Sequence, residues 1–292
     1  MFQSVKDMRE ACEREKLPLW KVILKEDAKE EGISEEESFA KMKHMYLAMK
    51  ESVKDYDASR RSASGLAGGC AEKVHVRKEK GQMISGDFIA GVMEKALAIA
   101  EGNACMRRIV AAPTAGSCGV LPAVLISLQE ERNYSDDHMT EALYIAGGIG
   151  GVIGLKASLA GAQGGCQAEI GSASAMAAAA LVYLDGGTPE QCGDACALAL
   201  KGLMGLVCDP VGGLVEVPCI KRNVIGSVNA ITSADMALAG IHSAVDCDEV
   251  IDAMRRVGEA MPDSLRETGK GGIAACPSAQ SLLKKLQNHD ET

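Results

Sequence analysis

The chain has 292 residues, with 31 basic and 40 acidic side chains and a formal net charge of −9. Hydrophobic residues make up 47% and charged residues 24%, which excludes a disordered or fibrous chain and allows a substantial core in one or two domains. An acidic surface repels phosphate backbones and anionic lipids, so nucleic acid is excluded as a partner. Only 3% of residues are aromatic while 32 are glycine, a balance that favours close-packed helices over sheet.

Residues 1–57 read as a polar helical arm. Pro18 suits the first turn of one helix and Gly32 its end. Ser34 and Glu37 make a capping box ahead of Phe39, Met42, Met45, Tyr46 and Met49, which recur at helical spacing. Residues 58–86 are rich in Gly, Ser and charge and read as a long loop or a weakly structured insertion. From residue 87 onward, amphipathic or alanine-rich helices alternate with glycine-rich loops, and Thr188 with Gln191 forms a second capping box. No sustained period-two run of β-branched residues occurs. The expected fold class is therefore all-α: an N-terminal helical arm (1–57) followed by a multi-helix domain (58–292) with glycine-rich loops.

The segment 143–162 carries small residues at spacings used by membrane-packing helices, but Lys156 interrupts it and no other apolar run reaches the roughly 20 residues of a span. No membrane association is expected. The opening MFQSVKDMRE has charges on both sides of a short apolar stretch, unlike a secretory leader. The eleven cysteines are therefore expected as thiols in a reducing, cytoplasmic setting, buried or bound to metal.

Four segments stand apart from ordinary helix connections. Ala112–Gly119 leads into an apolar helix, whose outward-pointing amides suit a carboxylate or phosphate; it lacks the GK[ST] of a Walker loop. Gly164–Ser172, Val207–Leu214 and Val217–Asn223 each hold one cysteine in a Gly- or Pro-containing loop. Cys105, Cys192 and Cys196, by contrast, read as helix packing. Three loop cysteines without CxxC spacing make a poor zinc site. Two readings stay open on spacing alone: burial as small hydrophobes, or anchorage of three irons of a cubane with the fourth iron free as a Lewis acid.

The phrases APTAGSCGVLPAVL, GGCQAEIGSASAMAAAAL and CDPVGGLVEVPCIKRN, in this order, resemble the iron–sulfur-dependent L-serine dehydratases (L-serine ammonia-lyases), and in particular the separate α subunit of the two-subunit bacterial form. The resemblance spans roughly residues 60–290. It implies a [4Fe–4S] cluster held by Cys166, Cys208 and Cys219, deamination of L-serine to pyruvate and ammonia, a separate β subunit and an oligomeric assembly. The stretch Glu267–Pro277 resembles the family's terminal region and implies a capping role for Cys276 at the fourth iron, although this chain continues for sixteen residues beyond it.

For that chemistry, helix-start amides around Thr114, Gly116, Ser117 and Gly119, and around Ser172, are candidates to hold the substrate carboxylate. A base must take the α-proton. Lys221, beside a ligand cysteine, and His75, in the glycine- and serine-rich stretch, are the candidates. Glu169 is expected to orient its loop by hydrogen bonding and Asp209-Pro210 to set a turn. A pyridoxal phosphate enzyme needs a Schiff-base lysine beside a phosphate cradle in an α/β fold, and neither Lys156 nor Lys201 has such a setting. The alternatives are a non-catalytic iron–sulfur redox or sensor subunit, and a related L-cysteine desulfidase.

Overall fold

A computed structural model describes the backbone of residues 2–290 and the side chains of residues 2–286. Its helices, in chain order, are α1 (Val5–Glu15), α2 (Leu19–Glu31), α3 (Glu35–Lys54), α4 (Cys70–Glu79), α5 (Gly86–Ala104), α6 (Val120–Arg132) and α7 (Asp136–Lys156). There follow α8 (Gly161–Gly164), α9 (Ser172–Leu184), α10 (Pro189–Leu203), α11 (Cys219–Leu238), α12 (Cys247–Ala260) and α13 (Pro277–Asp290). Among the described residues there is no strand, only an isolated parallel bridge between Cys208 and Arg266. The fold is all-α. Among the same residues, no helix is long and apolar enough to cross a membrane.

Local signals account for many helix ends. Pro18 precedes α2 and Gly32 closes it in the left-handed conformation at φ 68°. Ser34 accepts from the Glu37 amide, and Thr188 and Gln191 cap each other reciprocally at the start of α10.

At the centre lies α9, wrapped by α6, α7, α10 and α11. Ala175, Ala177, Ala178, Ala179 and Ala180 are all fully buried, so the helix is enclosed on every side, and its methyl groups let the neighbours approach closely. The glycines of α7 serve the same purpose. A Cβ on Gly148 would stand 2.7 Å from the Ile23 side chain, and one on Gly150 would stand 2.9 Å from Met176. The small-residue pattern of 143–162 is thus a packing face inside a helical core. Helices α1–α3 contribute Met8, Ile23 and Tyr46 to that same core.

One helix departs from the expectation. Residues 70–79, inside the stretch read as a loop or insertion, form α4. Ala71 is its one fully buried residue, so it carries almost no apolar periodicity, and its cap comes from elsewhere in the chain. The buried Glu101 carboxylate on α5 accepts from the amides of Cys70 (2.9 Å) and Ala71 (3.3 Å) and from the Tyr56 hydroxyl (2.9 Å). Burial alone would raise the Glu101 pKa, but these donors outweigh it and hold the carboxyl below its ordinary value. A depressed carboxylate stabilises the fold above its unfolded pKa and loses that contribution as pH falls through the folded value. Glu101→Gln should therefore cost about 1–3 kcal/mol at neutral pH. In thermal melts the gap between wild type and variant should shrink as the pH drops below about 4; a gap independent of pH would refute this assignment.

Candidate active site

Backbone stitching brings the cysteine loops together. Gly165 adopts φ 77°, and a Cβ there would lie 2.5 Å from Met261 Sδ and 2.9 Å from the Leu206 carbonyl, so only glycine fits immediately before Cys166. The chain then makes a π-helical turn, Gln167–Gly171, that runs directly into α9. The Gln167 amide donates to the Leu206 carbonyl at 2.9 Å, while its side chain accepts from the Gly205 amide (2.8 Å) and donates to the Met254 carbonyl (2.9 Å). The stretch 166–167 is thereby held alongside 205–206, two residues before Cys208. The Val211 amide donates to the Val217 carbonyl at 2.8 Å, folding the Cys208 loop back toward Cys219 at the start of α11. Peptide bonds Ala112–Pro113 and Val217–Pro218 are cis and immediately precede Thr114 and Cys219.

Cys166, Cys208 and Cys219 are all buried. Burial pushes the Cys166 thiol up to about 11, with Arg222 pulling it back, and pushes Cys219 up to about 12, with a charge on Cys166 adding to the rise. Cys208 is raised furthest, by burial first and then by Cys166, Glu169, Glu267 and Cys219. The three sulfurs thus sit within electrostatic reach of one another, and each resists ionising on its own in a poorly hydrated place. Such a donor set fits a group that takes thiolates and brings compensating positive charge. No three His, Cys, Asp or Glu side chains among the described residues converge on a single ion.

Arg222, one turn beyond Cys219, is a site residue that sequence reasoning missed. Its guanidinium donates to the Val207 carbonyl and to Asp209 Oδ1, each at 2.8 Å, and its charge pulls the Cys166 pKa down against burial. Burial works against its charge, yet Cys166 and Asp209 outweigh that and raise its pKa. Asn223, also missed, accepts from the Gly119 amide (2.9 Å) and donates to the carbonyls of Gly116 (2.9 Å) and Cys219 (3.1 Å), clamping the 114–119 turn onto α11. Both lie three and four residues after Cys219, the spacing that puts side chains on one helix face. That spacing was the available signal.

Glu169 lies against the 114–117 turn. It accepts from Thr114 Oγ1 at 3.0 Å, and burial raises its pKa against that hydrogen bond. A Cβ on Gly116 would lie 3.3 Å from both its oxygens, and a Cβ on Gly161 would lie 2.9 Å from both Glu169 Oε2 and Cys208 Sγ. Carboxylate, thiol and the 114–117 turn are therefore close neighbours. Ser117 is buried and hydrogen-bonds Thr114, and the Gly119 amide is committed to Asn223. Ser172 is also buried, and its hydroxyl has no hydrogen-bond partner among the described residues. An unsatisfied buried hydroxyl costs about 1–3 kcal/mol, which a ligand group meeting it would relieve.

The other expected site residues lie elsewhere. Lys221 is exposed, with the Cys70 thiol among its electrostatic neighbours. His75 sits on α4, where its Nδ1 meets Glu94 Oε1 on α5 at 3.0 Å. Cys276 is exposed after the Gly272–Ala275 turn, its Sγ 3.9 Å from the Gly272 carbonyl, while Cys192 and Cys196 are buried on α10.

Comparison with known proteins adds an independent line. A profile of the family described as "Serine dehydratase alpha chain" matches residues 14–274. The chain is 46% identical over 286 residues to the "Probable L-serine dehydratase, alpha chain" of Bacillus subtilis (strain 168), covering 98% of this chain and 95% of that one. It is 41% identical over 285 residues to the "L-serine dehydratase, alpha chain" of Peptoniphilus asaccharolyticus, covering 97% and 98%. An "L-serine dehydratase" of Mycobacterium tuberculosis (strain CDC 1551 / Oshkosh) is 46% identical over 185 residues, which are 61% of this chain but only 40% of that longer protein.

Proposed function

Because this chain belongs to the serine dehydratase alpha chain family, we propose that it deaminates L-serine to pyruvate and ammonia, working with a separate β subunit. The observation that carries the reading is the burial of Cys166, Cys208 and Cys219 within electrostatic reach of one another, next to Glu169 and the 114–117 turn. These three thiols would hold a [4Fe–4S] cluster. When bound, it supplies a Lewis-acidic iron that makes the substrate hydroxyl a better leaving group.

The chain's own residues supply the rest. Ser172, with its unpartnered hydroxyl, and the Thr114–Ser117 turn hold the substrate carboxylate. Glu169, braced by Thr114 and flanked by the two close glycine approaches, takes up the α-proton at its carboxylate. Loss of water leaves an enamine that tautomerises and hydrolyses without further help. Arg222 and Asn223 fix the cysteine loops and the carboxylate-binding turn relative to α11.

The test is anaerobic reconstitution of the full chain with iron and sulfide, followed by mixing with the β subunit. Pyruvate should form from L-serine and cease on exposure to oxygen. Glu169→Gln should keep the brown chromophore yet lose turnover about 10²- to 10⁴-fold. A cluster signal accompanied by no serine turnover in the wild type would overturn the reading.

A further inference from the structure

We infer that Asp209 and Arg222 form a positioning latch, which makes docking of the segment 263–275 and alignment of the Cys166 and Cys208 loops a single event. The pair is buried, with side-chain exposures of 3% and 12%. One Asp209 oxygen accepts from Arg222 Nη2 at 2.8 Å, and the other accepts from the Ile273 amide at 2.7 Å. The same guanidinium also donates to the Val207 carbonyl, so one planar fork fastens the Cys208 loop to α11, and Gln167 ties that loop to the Cys166 turn through Gly205 and Leu206. A lysine has one ammonium and no fork, and cannot reproduce this geometry.

The tail segment is shaped to meet the latch. Gly272 has φ 58°, and a Cβ there would stand 2.3 Å from Asp209 Oδ2, so only glycine lets the backbone come this close. Upstream, the Cys208 amide donates to the Leu265 carbonyl (2.9 Å) and the Glu267 amide to the Cys208 carbonyl (2.7 Å). Segment 265–273 thus lies along Cys208 and Asp209, held by two backbone bonds and by the Ile273 amide on the Asp209 carboxylate. Undocking it would take the Ile273 amide away from Asp209 and leave that carboxylate half-satisfied in the interior, so the loops and the tail must order together.

This inference rests on the proposed function only in taking the three thiols as ligands. Hydrogen exchange on the full-length chain without cluster, comparing peptides over 265–275 with peptides over α9, tests the latch by itself. Asp209→Asn, Arg222→Lys and Gly272→Ala should each speed exchange over 265–275 about tenfold or more, the factor that about 1.4 kcal/mol represents, with α9 unchanged. After reconstitution, iron retained against a chelator should fall in the same three variants, although none alters a thiol. Unchanged exchange over 265–275 in Asp209→Asn and Arg222→Lys, an equal loosening of α9, or full iron retention in Gly272→Ala would overturn it. If the wild type itself takes up no iron, the ligand reading fails, while the exchange contrast still decides the latch.

Discussion

Cys166→Ser, Cys208→Ser and Cys219→Ser should each lose the brown chromophore and bound iron to background after anaerobic reconstitution, while Cys192→Ser should keep both at the wild-type level. The contrast follows from surroundings. Cys166, Cys208 and Cys219 lie within electrostatic reach of one another and of Glu169, whereas the Cys192 thiol donates to the Ala179 carbonyl at 3.4 Å inside the helical core. A serine oxygen is a harder and far less acidic donor than a thiolate, so a single exchange removes one of three anchors. Thermal melts of the cluster-free proteins check that folding survives. Loss of iron in Cys192→Ser with retention in Cys208→Ser would show that the ligands are assigned to the wrong thiols.

Asn223→Ala should be strongly destabilising. The side chain is fully buried and satisfies the Gly119 amide and the Gly116 carbonyl, and among the described residues no other side chain hydrogen-bonds either. Leaving two buried backbone groups unmet costs about 2–6 kcal/mol, since each carries about 1–3 kcal/mol of desolvation. The melting temperature should fall by roughly 5–10 °C. Turnover should drop as well, because the turn carrying Thr114 and Ser117 is no longer fixed against Cys219. Thr232→Ala, on the exposed side of the same helix, should stay within about 0.5 kcal/mol of wild type and serves as the comparison. Equal melting temperatures for Asn223→Ala and Thr232→Ala would refute the clamp.

Where structure follows from neighbouring residues, it was legible. The start and end of α2 at Pro18 and Gly32, and the Thr188–Gln191 box, depend on contacts within a few positions, and sequence spacing carries those directly. Helix α4 was hidden because Glu101, thirty residues downstream, satisfies its first amides. The cysteine loops stood out as Gly- and Pro-rich breaks, but their convergence depends on Gln167 reaching Gly205 and Met254, which no local pattern encodes. Asp209 read as a turn former, yet its carboxylate joins Arg222 to the tail. In the tail, sequence drew notice to Cys276, whereas the part that reaches the site is Gly272–Ile273, distinguished only by a glycine and a backbone amide.

The alanines of α9 carry a consequence for how this molecule tolerates change. From Ala177 to Ala180 the helix is lined with methyl groups and acts as an axle whose radius sets the spacing of four others, with no bulk there that could be trimmed in compensation. A leucine grafted at Ala178 would meet no yielding rotamer and would have to lever whole helices outward. Because the Cys166 turn is a direct continuation of that axle, the displacement would travel to the thiols without touching any residue near them. Smallness in the interior, far from the chemistry, is what keeps the reactive end in register.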